Sequence, residues 1–321
     1  MKQVEHLLGY RASIKVMDAT LRDGGLVNDF YFTDDFVKAL YKTNLEAGVD
    51  YMEMGYRASK KVFDETKFGK WKFCSDDHIR EIVGENDTDL KLAIMADIGR
   101  HDKNDFDEKV NSPVDMVRVA AYIHQMPEAI DMIEDAHKKG YETTCNIMAI
   151  SQTRESDLKV ALDMLGKTPV DTIYIVDSFG SIYPEEMKRI VDIYMEAATK
   201  YGKQLGVHAH NNQQLAFANT IEACGDGVNW LDATYKGMGR GAGNCAMELL
   251  LGFLKNPKYN TYPVFRFISD YMVKLEEDGV VWGYDLQYLM TGQFNQHPRA
   301  AIKFTKDKRK DYAEFYKELI V

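Results

Sequence analysis

The chain has 321 residues, 45% hydrophobic and 28% charged, with 7 prolines, an ordinary globular composition able to bury a large core without staples. Its net charge of −10 is interrupted by no basic stripe, which argues against nucleic acid and anionic membrane as partners and leaves any anionic substrate to a local cationic pocket. The four cysteines, Cys74, Cys145, Cys224 and Cys245, form no CxxC pair and fit reduced thiols in a reducing compartment.

The opening segment MKQVEHLLGYRAS lacks the apolar stretch of a secretory signal. With no apolar run of ~18 residues anywhere, a cytoplasmic protein without membrane spans is expected. Eight short β-rich runs then alternate with longer amphipathic segments. They are IKVMDATL from Ile14, DYMEMG from Asp50, LKLAIMAD from Leu90, VDMVRVAAY from Val114, TTCNIMAI from Thr143, DTIYIVD from Asp171, QLGVHAH from Gln204 and VNWLDATY from Val228. Their near-continuous apolar character is that of parallel strands buried on both faces.

Between them, residues 33–47 open on a Thr-Asp-Asp cap and close before Gly48. Pro184 stands where a first helical turn begins, ahead of an amphipathic run to Lys200. The third connection, HDKNDFDEKV, is short and polar and offers the least support for a helix. This alternation predicts an α/β fold, a closed TIM (β/α)8 barrel, over an open sheet, since no GxGxxG follows the first strand. Residues 1–257 would form the barrel. Residues 258–321 read as a helical region packed on it, near its mouth or a neighbouring subunit of a homo-oligomer.

In HAH, His208 and His210 alternate on a strand and so share one face. Two such imidazoles suit a metal, or a pair of hydrogen-bonded core histidines. In DATLRDGGL, Gly24 and Gly25 would loosen the strand end so that Arg22 and Asp23 turn into one pocket; a surface ion pair is the simpler alternative. Both features fall at C-terminal strand ends, the face where barrel enzymes work. Glu53 lies inside the second strand, where a buried carboxylate needs a partner, and Arg22 is the obvious one.

Asp177 and Ser178 end strand six in VDSFGS, placed to meet substrate or, for Asp177, to cap the next helix. The loop YKGMGRGAGN follows strand eight. Its glycines permit close backbone approach to a ligand, Asn244 could offer an amide oxygen, and Lys236 and Arg240 could draw in a carboxylate. Lys236 is also the late-strand lysine that a Schiff-base aldolase would need. Arg57 reads as a solvated charge. The loop RASKKVFDETKFGKWKF, basic and aromatic, would cover the mouth or decorate its rim.

Taken together, TLRDG, the Glu of YMEMG, VDSFG, HAHNN and GMGRGAGN resemble the DRE-TIM metallolyases from about Ile14 to Leu250, with HAHNN and GAGN most similar to the 4-hydroxy-2-oxovalerate aldolase branch. The resemblance implies a Mn²⁺ or Mg²⁺ ion on Asp23, His208 and His210, with Asn244 at a position that is a ligand in some relatives. It also implies that Arg22 stabilises an enolate oxygen and that Glu53 orients Arg22. The expected reaction is cleavage or formation of a C–C bond in a hydroxy-oxo acid through a metal-stabilised enolate, with a small oxo acid as substrate. An acyl-CoA lyase or Claisen-type enzyme on the same scaffold, and a non-catalytic barrel subunit, are the alternatives. One position departs from the branch: the histidine base three residues after the metal aspartate is Leu26 here. Tyr288 or His297, from YLMTGQFNQHP, would then supply the proton acceptor. Relatives of the branch pass aldehyde to a dehydrogenase partner, for which this tail carries no signal.

Overall fold

The computed structural model describes residues 12–102 and 105–320. The first eleven residues, and with them most of the segment read as lacking a signal, lie outside that range. Eight strands close into a parallel barrel in chain order. They are β1 (Lys15–Asp18), β2 (Tyr51–Tyr56), β3 (Lys91–Asp97), β4 (Met116–Ala121), β5 (Glu142–Ile147), β6 (Thr172–Asp177), β7 (Gln204–Ala209) and β8 (Trp230–Ala233). Strand β8 returns to β1 by pairing Lys15 with Trp230 through Asp18 with Ala233.

The first strand is shorter than its sequence suggests. Asp18 accepts from the Thr20 backbone N–H at 2.9 Å, and the chain turns into a one-turn helix, α1 (Thr20–Gly24). Arg22 and Asp23 therefore reach one pocket because a helical turn swings them there, without backbone loosening at the glycines. Gly25 is helical, and a Cβ on it would stand 2.2 Å from the Phe30 ring. That glycine is required by close packing.

Helix α2 (Asp34–Ala47) starts on Thr33, whose hydroxyl accepts from the Phe36 N–H, and stops at left-handed Gly48. Around the barrel follow α3 (Asp76–Val83), α4 (Met126–Lys138), α5 (Glu155–Gly166), α6 (Pro184–Tyr201), α7 (Ala216–Gly225) and α8 (Met247–Leu254). Between β3 and β4 the described residues hold only a 3-10 turn at Lys109–Asn111, so the helix expected in that polar connection does not form. Its run of Asp, Asn and Lys supplies no apolar stripe to pack on the sheet.

The tail is helical: α9 (Thr261–Phe267), continued through a π-turn at Ile268–Met272 into α10 (Val273–Glu277), then α11 (Leu286–Gln293), α12 (Arg299–Lys306) and α13 (Tyr312–Ile320). Phe267 packs on Phe36 and Tyr235, each with ring centroids 5.2 Å apart. Asn295 accepts from the hydroxyls of Ser151 and Ser181 at 2.7 and 2.9 Å, which fixes this part of the tail beside the C-terminal mouth. No helix among the described residues is long and apolar enough to cross a membrane, and the four cysteines are buried without a disulfide.

Inside the barrel the period-2 strand geometry sorts side chains into layers. An apolar floor holds Met17, Tyr51, Ala93, Met116, Tyr174 and Trp230. Two residues further along their strands come three charges, Glu53, Arg118 and Asp232, all buried. Toward the C-terminal ends of the strands, Met95, Ala120, Asn146 and Val176 line a cavity at the mouth.

Candidate active site

The cavity encloses about 70 Å³ and is lined by Arg22, Asp23, Leu26, Tyr56, Met95, Ala120, Asn146, Met148, Val176, Ser178, His208, His210 and Arg240. On one side Asp23, His208 and His210 bring one ligand atom each within 4.8 Å of one another, with His210 Nε2 3.6 Å from Asp23 Oδ2. Each imidazole is held through its far nitrogen. His208 Nδ1 lies 3.0 Å from Asp232 Oδ2, and His210 Nδ1 lies 2.9 Å from the Asp177 carbonyl oxygen. Since both partners are acceptors, both rings carry their proton on Nδ1 and aim the Nε2 lone pair inward.

Those two Nε2 atoms are buried without a partner, as is Asn244 Oδ1. Orphaned buried acceptors are costly, and two imidazole nitrogens gathered with a carboxylate fit a divalent cation. A donor set of two imidazoles and a carboxylate, with no thiolate, suits a divalent ion other than a thiophilic one. Asn244 Nδ2 donates to Asp23 Oδ2 at 2.6 Å, so the amide also orients the carboxylate. Gly239 is indispensable here: a Cβ would stand 2.2 Å from Asn244 Nδ2 and 2.7 Å from Asp23 Oδ2.

Arg22 donates through Nε to Glu53 at 2.8 Å and through a terminal nitrogen to Asp23 at 2.7 Å. Burial pushes the Asp23 carboxyl up, but Arg22, followed by His210, outweighs it and holds Asp23 well below the usual carboxylate range. Burial drives His210 down to about 3 against the pull of Asp23, which keeps the ring neutral and able to ligate. Arg240 reaches the wall from the β8–α8 loop and donates to the Ser178 carbonyl at 3.1 Å.

Several residues singled out from the sequence stand elsewhere. Asp177 turns its carboxylate away to accept from the backbone N–H groups of Ser181 and Ile182 at 3.1 and 3.3 Å; burial lifts it to about 7 against those bonds. It caps the β6–α6 turn, and only its carbonyl serves the site. Lys236 pairs with Glu276 of α10 and lies 5.8 Å from the Trp282 ring centroid, off the cavity wall, where it can form no Schiff base. His297 stands behind Arg240, with Nε2 3.3 Å from that guanidinium, and burial, with Arg240 next, depresses it to about 3. Tyr288 packs beside Gly241, also off the wall. Neither reaches the cavity as a base. Arg57 is no solvated charge, since it pairs with Asp76 in a largely buried bridge.

Sequence reasoning passed over Arg118, Asp232, Asn146 and Tyr56. For the first two the signal was present: each is a lone charge inside an apolar strand, VRV and LDA, and such a charge must be paired. Asn146 accepts from the Thr144 hydroxyl at 2.7 Å, and its side-chain carboxamide lies on the cavity wall.

A closed barrel with a carboxylate and two imidazoles at its C-terminal mouth, backed by a buried arginine, defines a metal-dependent barrel enzyme. The chain matches the HMGL-like family over residues 13–266 and belongs to it. It is 28% identical over 242 residues to a Mycobacterium tuberculosis protein named oxaloacetate decarboxylase, covering 75% of this chain and 69% of that protein. A Bacillus cereus protein named 4-hydroxy-2-oxovalerate aldolase is 24% identical over 320 residues, covering 96% of this chain and 92% of its own. The carboxyl transferase domain of Rhizobium etli pyruvate carboxylase, crystallised with pyruvate, shares the fold, with a TM-score of 0.67 at 15% identity over 92% of this chain and 54% of that one. The chain is thus a carbon–carbon lyase of a divalent-metal-dependent family.

Proposed function

We propose that this protein cleaves a C–C bond in a small 2-oxo acid through an enolate, with a divalent ion held by Asp23, His208, His210 and Asn244. The observation that carries this reading is the pair of orphaned buried Nε2 atoms of His208 and His210 gathered with the Asp23 carboxylate. A bound ion would act as a Lewis acid toward the oxygen that gains charge as the bond breaks.

The protein groups do the rest. Arg22, locked between Glu53 and Asp23, presents a preorganised cation to the same developing charge. Arg240, Asn146 and Ser178 offer donors for a substrate carboxylate, while the small cavity suits a short acid. Three buried carboxylates (Asp23, Glu53, Asp232) face two buried guanidiniums (Arg22, Arg118). A divalent cation tips that balance positive, toward an anionic substrate. The relatives named for oxaloacetate and for 4-hydroxy-2-oxovalerate support the same substrate size. A cytosolic setting agrees with four reduced, buried cysteines.

The test is pyruvate release from oxaloacetate and from 4-hydroxy-2-oxovalerate by EDTA-treated protein, before and after Mn²⁺ is restored. Release from at least one substrate that needs both Mn²⁺ and Arg22 is expected. No release from either would refute the reading.

A further inference from the structure

The cavity wall is as informative for what it lacks as for what it holds. With Asp23, His208 and His210 engaged as ligands, the remaining lining side chains are Arg22, Leu26, Tyr56, Met95, Ala120, Asn146, Met148, Val176, Ser178 and Arg240. Among these described residues no carboxylate, no imidazole and no amine is left to accept a proton. The two guanidiniums stay charged at any working pH. The Tyr56 phenol is held above its ordinary value by burial, against the pull of Arg22, so it stays protonated and is no base. His297, an imidazole outside the wall, has Nε2 against Arg240 and Nδ1 accepting from the Arg299 N–H at 3.1 Å. The Lys72 ammonium is enclosed by aromatic rings, 4.4 Å from the Tyr56 centroid and 4.3 Å from that of Phe63, on the far side of the wall residue Tyr56.

This matters because C–C cleavages that yield an enolate differ in their need for a base. Aldol cleavage must remove the proton from a hydroxyl before the bond can break. Loss of CO₂ from a 2-oxo acid carrying a carboxylate on C3 needs no such removal. The C3–C4 electron pair moves into C2–C3, the charge settles on the C2 oxygen, and the former carboxylate departs as neutral CO₂. No proton moves in that step, and water then protonates C3.

From this we infer that the site is built for base-free cleavage and takes a 3-carboxy-2-oxo acid, a short 2-oxo dicarboxylate, with Leu26 on the wall where a base would otherwise serve. The inference rests on the enolate reading above and narrows it to one substrate class. A second feature of the wall agrees. Leu26, Met95, Ala120, Met148 and Val176 give the wall apolar surface beside its cations. A carboxylate laid there is poorly solvated, whereas CO₂ is at home, so the environment favours the charge leaving that carbon. Arg22 and Arg240 remain for the oxygen that gains the charge and for the C1 carboxylate.

The experiment compares three reactions of the Mn²⁺-loaded full chain: decarboxylation of oxaloacetate above the free-metal rate, cleavage of 4-hydroxy-2-oxovalerate, and exchange of the pyruvate methyl protons in D₂O by NMR. Exchange draws a proton off carbon and so needs the base that decarboxylation does without. Decarboxylation should exceed both other rates by about 10²-fold or more, the usual scale of a missing general base. Leu26→His, which places an imidazole on the wall, should raise exchange relative to decarboxylation by at least about tenfold. Aldol cleavage or exchange as fast as decarboxylation in the unaltered protein would overturn the inference while leaving the enolate reading intact. Silence in all three reactions would overturn that reading itself.

Discussion

Glu53 on β2 and Asp232 on β8, the two strands that flank β1, accept from one guanidinium: Arg118 of β4 donates to Glu53 at 2.9 Å and to Asp232 at 2.7 Å. Glu53 in turn holds Arg22, and Asp232 holds His208. A single buried hydrogen-bonded chain therefore runs from Arg22, the proposed enolate stabiliser, to His208, a proposed metal ligand, and Arg118, 4.5 Å from the Tyr174 ring centroid, is its middle link. Replacing Arg118 by Met leaves buried Asp232 without its guanidinium and Glu53 with Arg22 alone. Stability should fall by about 3–5 kcal/mol, and Mn²⁺ affinity should fall roughly 10–100-fold as the support of His208 is lost. Urea unfolding and a Mn²⁺ titration check the two effects separately; wild-type values for both would show the chain to be inert.

Gly239 tests the metal pocket from the backbone side. The substitution Gly239→Ala adds one methyl group that must displace Asn244 or Asp23. It should weaken Mn²⁺ binding by at least about tenfold while the far-UV circular dichroism stays that of a barrel. Unchanged binding would place the ion elsewhere.

Arg22 is assigned to charge that exists only during reaction. Truncation to Ala should lower kcat by about 10²–10³, the scale seen when one preorganised donor is removed, even at saturating Mn²⁺. A variant with wild-type turnover would leave Arg22 a structural ion-pair partner only.

Lys72 predicts a pH effect on stability. Burial pulls its ammonium from 10.5 down to about 8, with Asp97 opposing and Arg100 adding. Between about pH 8 and 10.5 the unfolded chain binds a proton that the folded chain lacks, so stability rises with pH across that window. Below pH 8 the cost is fully present, on the order of 3 kcal/mol. Relative to Lys72→Met, the unaltered protein should therefore gain stability from pH 7.5 to 10 in guanidinium unfolding. Parallel pH profiles for the two proteins would show that the cage of rings already compensates the charge.

Much of this was legible in the sequence because strand geometry is local. All eight strands follow from their apolar runs, and the i, i+2 spacing of His208 and His210 is enough to place both rings in one cavity. What could not be read is what depends on closure. Arg118 meets Asp232 across 114 positions of chain, and no local pattern announces such a pair. The same holds for Lys236 and His297, whose side chains suggested chemistry but whose partners, Glu276 and Arg240, come from distant segments. Around Arg22 and Asp23 the outcome was right for a different reason, since the glycines there make room for Phe30 and Met238 and a helical turn does the aiming.

The most direct test of the central claim is a Mn²⁺ titration of the EDTA-stripped protein, followed by electron paramagnetic resonance, beside Asp23→Asn. One tight site per chain, lost in the variant, is the predicted result. A protein that takes up no Mn²⁺, or a variant that binds it as well as the original, would contradict the assignment of Asp23, His208 and His210 as the metal centre.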